Sequence, residues 1–136
     1  MKLPSSETLV GSVIAQVAIS TLRGILNRAI RETTPKMLVE AIRDNTSLWG
    51  EANPVIMDYV QDLPPFIATG IKEAREIINF QYGGVTHIVM QWLETDNPLY
   101  YNIIKNSEGG EVWIGRQVEQ ILDGVQDNVG KKEDVK

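Results

Sequence analysis

The stretch TLVGSVIAQVAISTLRGILNRAI, residues 8–30, decides the fold expected for this chain of 136 residues. It holds enough apolar side chains for the longest helix in the sequence, and no ionisable residue occurs between Thr8 and Leu22. An α-helix turns about 100° per residue. In the second half of the stretch this spacing gathers apolar residues on one side, as in an amphipathic helix. These residues are Leu22, Ile25, Leu26, Ala29 and Ile30.

The first half of the stretch carries apolar residues on more than one side. Its β-branched residues are turned by about a quarter-turn from the later stripe, and a third sector is made of small residues. Either its own domain buries this half, or a second subunit covers part of it. For the second case we predict a dimer, because symmetric pairing is the commonest form of soluble oligomer. The predicted interface comprises Val10, Gly11, Val13, Ile14, Ala15, Val17 and Ala18.

The same stretch is not expected to cross a membrane or to direct secretion. A membrane-spanning helix needs about 20 consecutive apolar residues, whereas this run is shorter and is interrupted by Ser12, Gln16 and Ser20. A secretory signal has a basic head followed by an apolar run, but here Lys2 is followed by Pro4 and Glu7. The absence of cysteine fits a reducing compartment. We therefore expect a cytoplasmic protein with no membrane span.

Proline and glycine signals divide the rest of the chain into further helices. Thr34–Pro35, Asn53–Pro54 and Asn97–Pro98 are typical helix starts, and Gly83–Gly84 is the strongest internal breaker. The apolar residues between these signals recur at helical spacing, and a strand is arguable only at 77–82 and 85–90. The sequence therefore predicts an all-α fold, a compact bundle of five to seven helices around the long N-terminal helix.

The length and composition are those of one soluble domain. A chain of 136 residues with 43% apolar and 23% charged side chains can bury a hydrophobic core of its own. The last residues, from Gly130 to Lys136, are charged and contain little to bury. We predict a single helical domain over residues 1–129 and a flexible, charged C-terminal tail over residues 130–136.

No pattern of residues indicates catalysis. His87 is the only histidine, so it lacks the partners that a zinc site or a catalytic triad requires. The pairs Asp58 and Asp62, and Glu73 and Glu76, have helical spacing, but no Glu-x-x-His sequence accompanies them as in helical dimetal sites. Nucleotide-binding glycine patterns are also missing. We therefore predict a protein that is not an enzyme and that has no metal or cofactor.

The basic residues are concentrated in one early segment. Residues 23–43 carry five basic and two acidic side chains, a net charge of +3, in a chain whose net charge is −5. This asymmetry predicts either an anionic partner for the early segment or a contact with the acidic later half of the chain. The candidate patch for an anionic partner comprises Arg23, Arg28, Arg31, Lys36 and Arg43.

Three functions are compatible with these patterns. The sequence favours a helical protein–protein interaction or structural module that self-associates, with an acidic protein as a further partner. One alternative is a nucleic-acid-associated accessory protein that uses the basic patch at 23–43. It is disfavoured because a helix-turn-helix here would place Asp58 and Asp62 in the DNA major groove. The other alternative is a helical carrier that binds a small apolar ligand between its helices.

Overall fold

A computed structural model describes residues 6–49, 63–64 and 66–134 of the chain. Within these ranges, the side chains of residues 6–12, 66, 68–69 and 128–134 are not described. The described residues form α1 (Ser6–Arg31), α2 (Pro35–Asp44), α3 (Phe66–Gln81), α4 (Val85–Asp96), α5 (Pro98–Asn106) and α6 (Gly110–Asp134). No strand occurs among them, and the two segments where a strand was arguable are helical. The all-α prediction is confirmed.

The helices begin and end where the sequence signals predict. Thr34 caps α2 by accepting a hydrogen bond from an amide of its first turn, and Pro35 occupies the first turn itself. Asn45 ends α2 in the left-handed conformation, with φ 54°. Gly83–Gly84 separates α3 from α4 with φ values of 78° and 115°, which L-residues with a side chain rarely adopt.

All six described helices contribute to one hydrophobic core. The predicted stripes of α3 and α6 are buried in it, including Ile78 and Val118. Trp49, in the segment that follows α2, packs edge-on against Trp113 of α6, with ring centroids 5.6 Å apart and planes at 60°. Helix α6 packs against α3, α4 and α5, and α2 packs against α5.

The most extensive helix pairing joins α1 to α3. Gly70 lies at the point of closest approach: a Cβ added there would stand 2.7 Å from Cγ2 of Ile14 and 3.2 Å from Cβ of Ala18. A residue with a side chain would therefore force the two helices apart. The small residues of α1 do permit close approach of a second backbone, and that backbone belongs to the same chain.

Contacts with α6 show that α1 and α3 run in the same direction. Just past the end of α1, Thr33 accepts a hydrogen bond from the indole of Trp49, whose backbone amide binds Gln117 of α6. Just past the end of α3, Thr86 lies against Gly115 of α6. The C-terminal ends of α1 and α3 therefore both lie near residues 113–117 of α6, and Gly70 joins the two helices near their beginnings.

Some predictions fall outside the described residues or stay untested. The helix expected after Asn53–Pro54 lies outside the described residues. The backbone of α6 is helical as far as Asp134, so this helix continues into the segment for which a flexible tail was predicted. The domain boundary at residue 129 and the flexibility of the tail stay predictions.

Candidate interaction surfaces

One side of α1 is exposed and carries no charge. Val13, Gln16, Val17 and Ser20 all face solvent, and we call these four residues the outer face of α1. Helical geometry places them within about 100° of one another around the axis. Val13 is 64% exposed and Val17 is 42% exposed, one turn apart. The outer face thus presents two β-branched apolar side chains flanked by small or amide side chains.

The exposed sides of the other helices are charged. In α2 the exposed residues include Lys36 and Glu40, and in α3 they include Lys72 and Glu76. In α6 they include Arg116, Glu119 and Asp123. Depletion of charged residues, rather than bulk hydrophobicity, distinguishes the centre of a protein–protein interface from the rest of the surface. The outer face of α1 has this property.

The structure divides the predicted interface residues between two sides of α1. Ala15 and Ala18 are fully buried inside the chain, Ala18 against Gly70, so these two residues are not available to a second subunit. This corrects the prediction for both positions: α3 of the same chain covers the small-residue sector. Ile14 is half-buried at the edge of the α1–α3 contact. The side chains of Val10 and Gly11 lie outside the description.

Phe80 is a second exposed apolar residue on the same side of the α1–α3 pair. Its side chain is 92% exposed, the highest value among the exposed large hydrophobic residues of the described part. On the α3 wheel, Ile77 follows the stripe of Gly70 and Phe80 lies about 80° beyond it. Arg75, which contacts α6, lies on the opposite side of that stripe. Phe80 therefore borders the solvent-facing side of the groove between α3 and α1, as Val17 does on α1.

Arg23 of the predicted basic patch is bound within the chain. Its guanidinium forms a two-point ion pair with Asp96 at the end of α4, with both N–O distances 2.7 Å. Asn27 also donates to this carboxylate at 3.2 Å. The hydrogen bond from Arg23 lowers the pKa of Asp96, against a smaller opposing effect of desolvation, and Asn27 lowers this pKa further. Here the acidic later half of the chain is itself the partner of a basic residue.

The other basic residues of the patch do not form one cluster with Arg23. Arg43 pairs with the neighbouring Asp44 at 3.0 Å, and both side chains are exposed. Arg28, Arg31 and Lys36 are also exposed, and Arg28 takes part in an interaction of its own. Exposed pairs such as Arg43–Asp44 contribute little to stability. Two of the five predicted residues are thus neutralised by carboxylates of the same chain.

A polar site that the sequence analysis missed lies on α6. Gln117 is 3% exposed, and its side-chain oxygen accepts hydrogen bonds from the backbone amides of Leu48 at 2.9 Å and Trp49 at 3.3 Å. The indole of Trp113 donates to the carbonyl of Thr46 at 2.7 Å. One side of α6 therefore holds the backbone of the segment after α2. The available signal was a glutamine between the apolar residues of the last stripe.

No catalytic or membrane-spanning arrangement is found in the described part of the chain. His87 is exposed, and its Nε2 lies 3.1 Å from the side-chain nitrogen of Gln91. Among the described residues, no three acidic or histidine side chains gather as metal ligands would. None of the described helices is both long enough and apolar enough to cross a membrane. Comparisons with protein-family models, with curated proteins and with solved structures found no match to this chain.

Proposed function

We propose that this chain is a non-catalytic helical interaction module that forms a homodimer through the outer face of α1. The observation that carries the proposal is the contrast between this face, with Val13 and Val17 exposed and no charge, and the charged outer sides of α2, α3 and α6. Water gains by the removal of exposed apolar surface, and charges do not have to be desolvated in the process.

Symmetry strengthens a contact made by such a small surface. In a twofold dimer each contact occurs twice, because the same residues of both copies take part. Complete burial of one valine side chain contributes about 1.5–3 kcal/mol, and a dimer of this kind buries Val13 and Val17 of both copies. This gain has to exceed the loss of translational and rotational freedom on association. A dimer that dissociates at micromolar concentrations fits this balance.

Light scattering during size-exclusion chromatography tests the proposal. We expect the parent chain to be dimeric at high micromolar concentration and to dissociate on dilution. Val17→Glu should give a monomer, because association would bury an unpaired charge. Val112→Glu is the matched control, since Val112 is 62% exposed on the outer side of α6, and it should leave the dimer intact.

Circular dichroism of the same variants separates loss of the dimer from loss of the fold. Because Val17 is 42% exposed within the single chain, a glutamate there should leave the helical signal and the thermal transition of the monomer almost unchanged. If Val17→Glu unfolds the chain, Val17 belongs to the core and the interface is elsewhere. A parent chain that is monomeric at high micromolar concentration contradicts the proposal.

The proposal includes a cytoplasmic location, for which the absence of cysteine is the supporting feature. An acidic protein partner for Arg31 and Lys36 stays a prediction. The alternatives of nucleic-acid association and of apolar-ligand carriage also stay predictions. The pairing of Arg23 with Asp96 and of Arg43 with Asp44 reduces the positive charge that a nucleic acid would meet.

A further inference from the structure

We infer that the two copies pair with their α1 helices antiparallel, about a twofold axis near Ser20, so that Phe80 of each copy packs against Val13 of the other. This inference rests on the proposed dimerisation through the outer face of α1. It adds the direction of the pairing and a second contact from α3. Two independent features of the described residues lead to it: the distribution of charge along α1 and the positions of the exposed apolar residues.

The charge along the exposed side of α1 excludes a parallel pairing. Beyond Ser20 this side continues through Gly24 to Arg28 and Arg31, which both face solvent. Parallel helices would place each of these arginines beside its equivalent in the other copy. In an antiparallel pair centred on Ser20, the two Arg31 residues lie about 33 Å apart along the axis, at 1.5 Å per residue. That separation exceeds the Debye length of about 8 Å at physiological ionic strength.

The exposed apolar residues become complementary in the antiparallel arrangement. Because α1 and α3 run in the same direction and meet at Gly70, Phe80 lies about 15 Å further along, at the level of Leu26. This level is about 9 Å from Ser20 towards the C-terminal end of α1, whereas Val13 is about 10 Å from Ser20 towards the beginning. A twofold rotation about Ser20 therefore brings Val13 of one copy to the level of Phe80 of the other.

Small residues lie where the two helices would cross. Ser20 is exposed and Gly24, one turn later on the same side, is half-buried. The distance between packed helix axes is 8–10 Å and depends on the size of the side chains at the contact. Small residues near the axis allow the helices to approach closely enough for Val13, Val17 and Phe80 to be covered.

Because the chain contains no cysteine, single cysteine substitutions report the pairing directly. In an antiparallel pair, equivalent residues separate by about 3 Å for each residue of distance from the twofold axis. Under mild oxidation, Ser20→Cys should form a disulfide-linked dimer. Val13→Cys alone should not, since its two sulfurs would lie about 20 Å apart, and a disulfide requires Cα atoms within about 7 Å. Val112→Cys is the control for random collision.

A mixture of two variants tests the contact between Phe80 and Val13. Equimolar Val13→Cys and Phe80→Cys should give a cross-linked heterodimer, recognised by mass, whereas neither variant alone should cross-link above the Val112→Cys background. In the otherwise unmodified chain, Phe80→Ser should raise the dimer Kd at least tenfold. The double variant of Phe80→Ser with Val13→Ser should raise it little further, because the two side chains share one contact.

The outcomes distinguish this inference from the dimer itself. Efficient cross-linking of both Val13→Cys and Ser20→Cys would indicate a parallel pair and overturn the inference while the dimer stands. A dimer in light scattering without any cross-link from α1 would place the interface elsewhere and overturn the inference. A monomeric parent chain contradicts the proposed function first.

Discussion

The guanidinium of Arg23 on α1 and the carboxylate of Asp96 at the end of α4 are joined by two hydrogen bonds of 2.7 Å. The two residues are 73 positions apart in the chain, and Asp96 is only 20% exposed. Beside them, the side-chain amide of Asn97 donates to Asn27 at 3.0 Å. This small network attaches α1 to the junction between α4 and α5.

The stability of the fold should depend on the charge of Asp96. Its pKa is lowered in the folded chain, mainly by Arg23, and lies below the unfolded value of about 3.9. The pair therefore stabilises the fold above about pH 4, and this contribution is lost as the pH falls through the lowered pKa. Asp96→Asn should lower the free energy of unfolding by about 1 kcal/mol at pH 7. Urea unfolding should show the difference shrinking towards about pH 3. Asp127→Asn, on an exposed residue, is the control. An equal effect at both pH values would contradict this account.

Replacement of Gln117 should weaken the contact between α6 and the segment after α2. In Gln117→Leu the amides of Leu48 and Trp49 lose the oxygen to which both donate. An amide left without its partner costs about 1–3 kcal/mol, and we expect a loss of this size in urea unfolding. Gln120→Leu is the matched control, because Gln120 is less buried and accepts only from the hydroxyl of Ser47 among the hydrogen bonds described. Equal losses for the two variants would mean that the backbone contact is unimportant.

Gly70→Ala should separate α1 from α3. The added methyl would stand 2.7 Å from Cγ2 of Ile14 and 3.0 Å from its carbonyl oxygen, which cannot rotate away. Overpacking of this kind costs about 1–3 kcal/mol, against a helix-propensity gain of about 1 kcal/mol. Thermal unfolding should therefore show a net loss. In a double-mutant cycle, Ile14→Ala should cost less in the Gly70→Ala background than in the parent. Simple additivity would show that the two residues do not press on each other.

Asn45 should tolerate glycine better than alanine. Its φ of 54° is a left-handed conformation that costs a residue with a Cβ about 1–2 kcal/mol. Its side chain also accepts a hydrogen bond from Arg116 at 3.1 Å, which both substitutions remove. The difference between Asn45→Ala and Asn45→Gly in urea unfolding therefore isolates the backbone effect. We expect the glycine variant to be more stable by about 1 kcal/mol; the reverse order would show that another contact determines the end of α2.

Local patterns in the sequence were sufficient to place the described helices. Thr34–Pro35 and Asn97–Pro98 precede α2 and α5, and Gly83–Gly84 separates α3 from α4, as expected. The apolar spacing also identified the buried side of the last helix. Such signals depend on a few neighbouring residues: a capping side chain, a ring that fixes φ, or a glycine that accepts positive φ. They can be recognised without knowledge of the rest of the fold.

The candidate surface was predicted only in part. The sequence indicated an uncharged, apolar beginning of α1 with more than one side to cover, but not which side the chain covers itself. Gly70 decides this, because it lets α3 approach Ala18 and leaves Val13 and Val17 exposed. Phe80 gave no signal of its own, since one phenylalanine near the end of a helix is compatible with burial or exposure.

The sequence by itself determined the helical class, most helix boundaries in the described part and the residues that each helix buries, because helical periodicity and capping act over one or two turns. Tertiary structure alone decided that Arg23 meets Asp96 and that Gln117 meets Leu48, pairs separated by 73 and 69 residues. The physical reason is that periodicity states which side of a helix avoids water and not which surface will cover it. That choice depends on side-chain shape at close approach, as at Gly70, and becomes visible only when the whole core is packed.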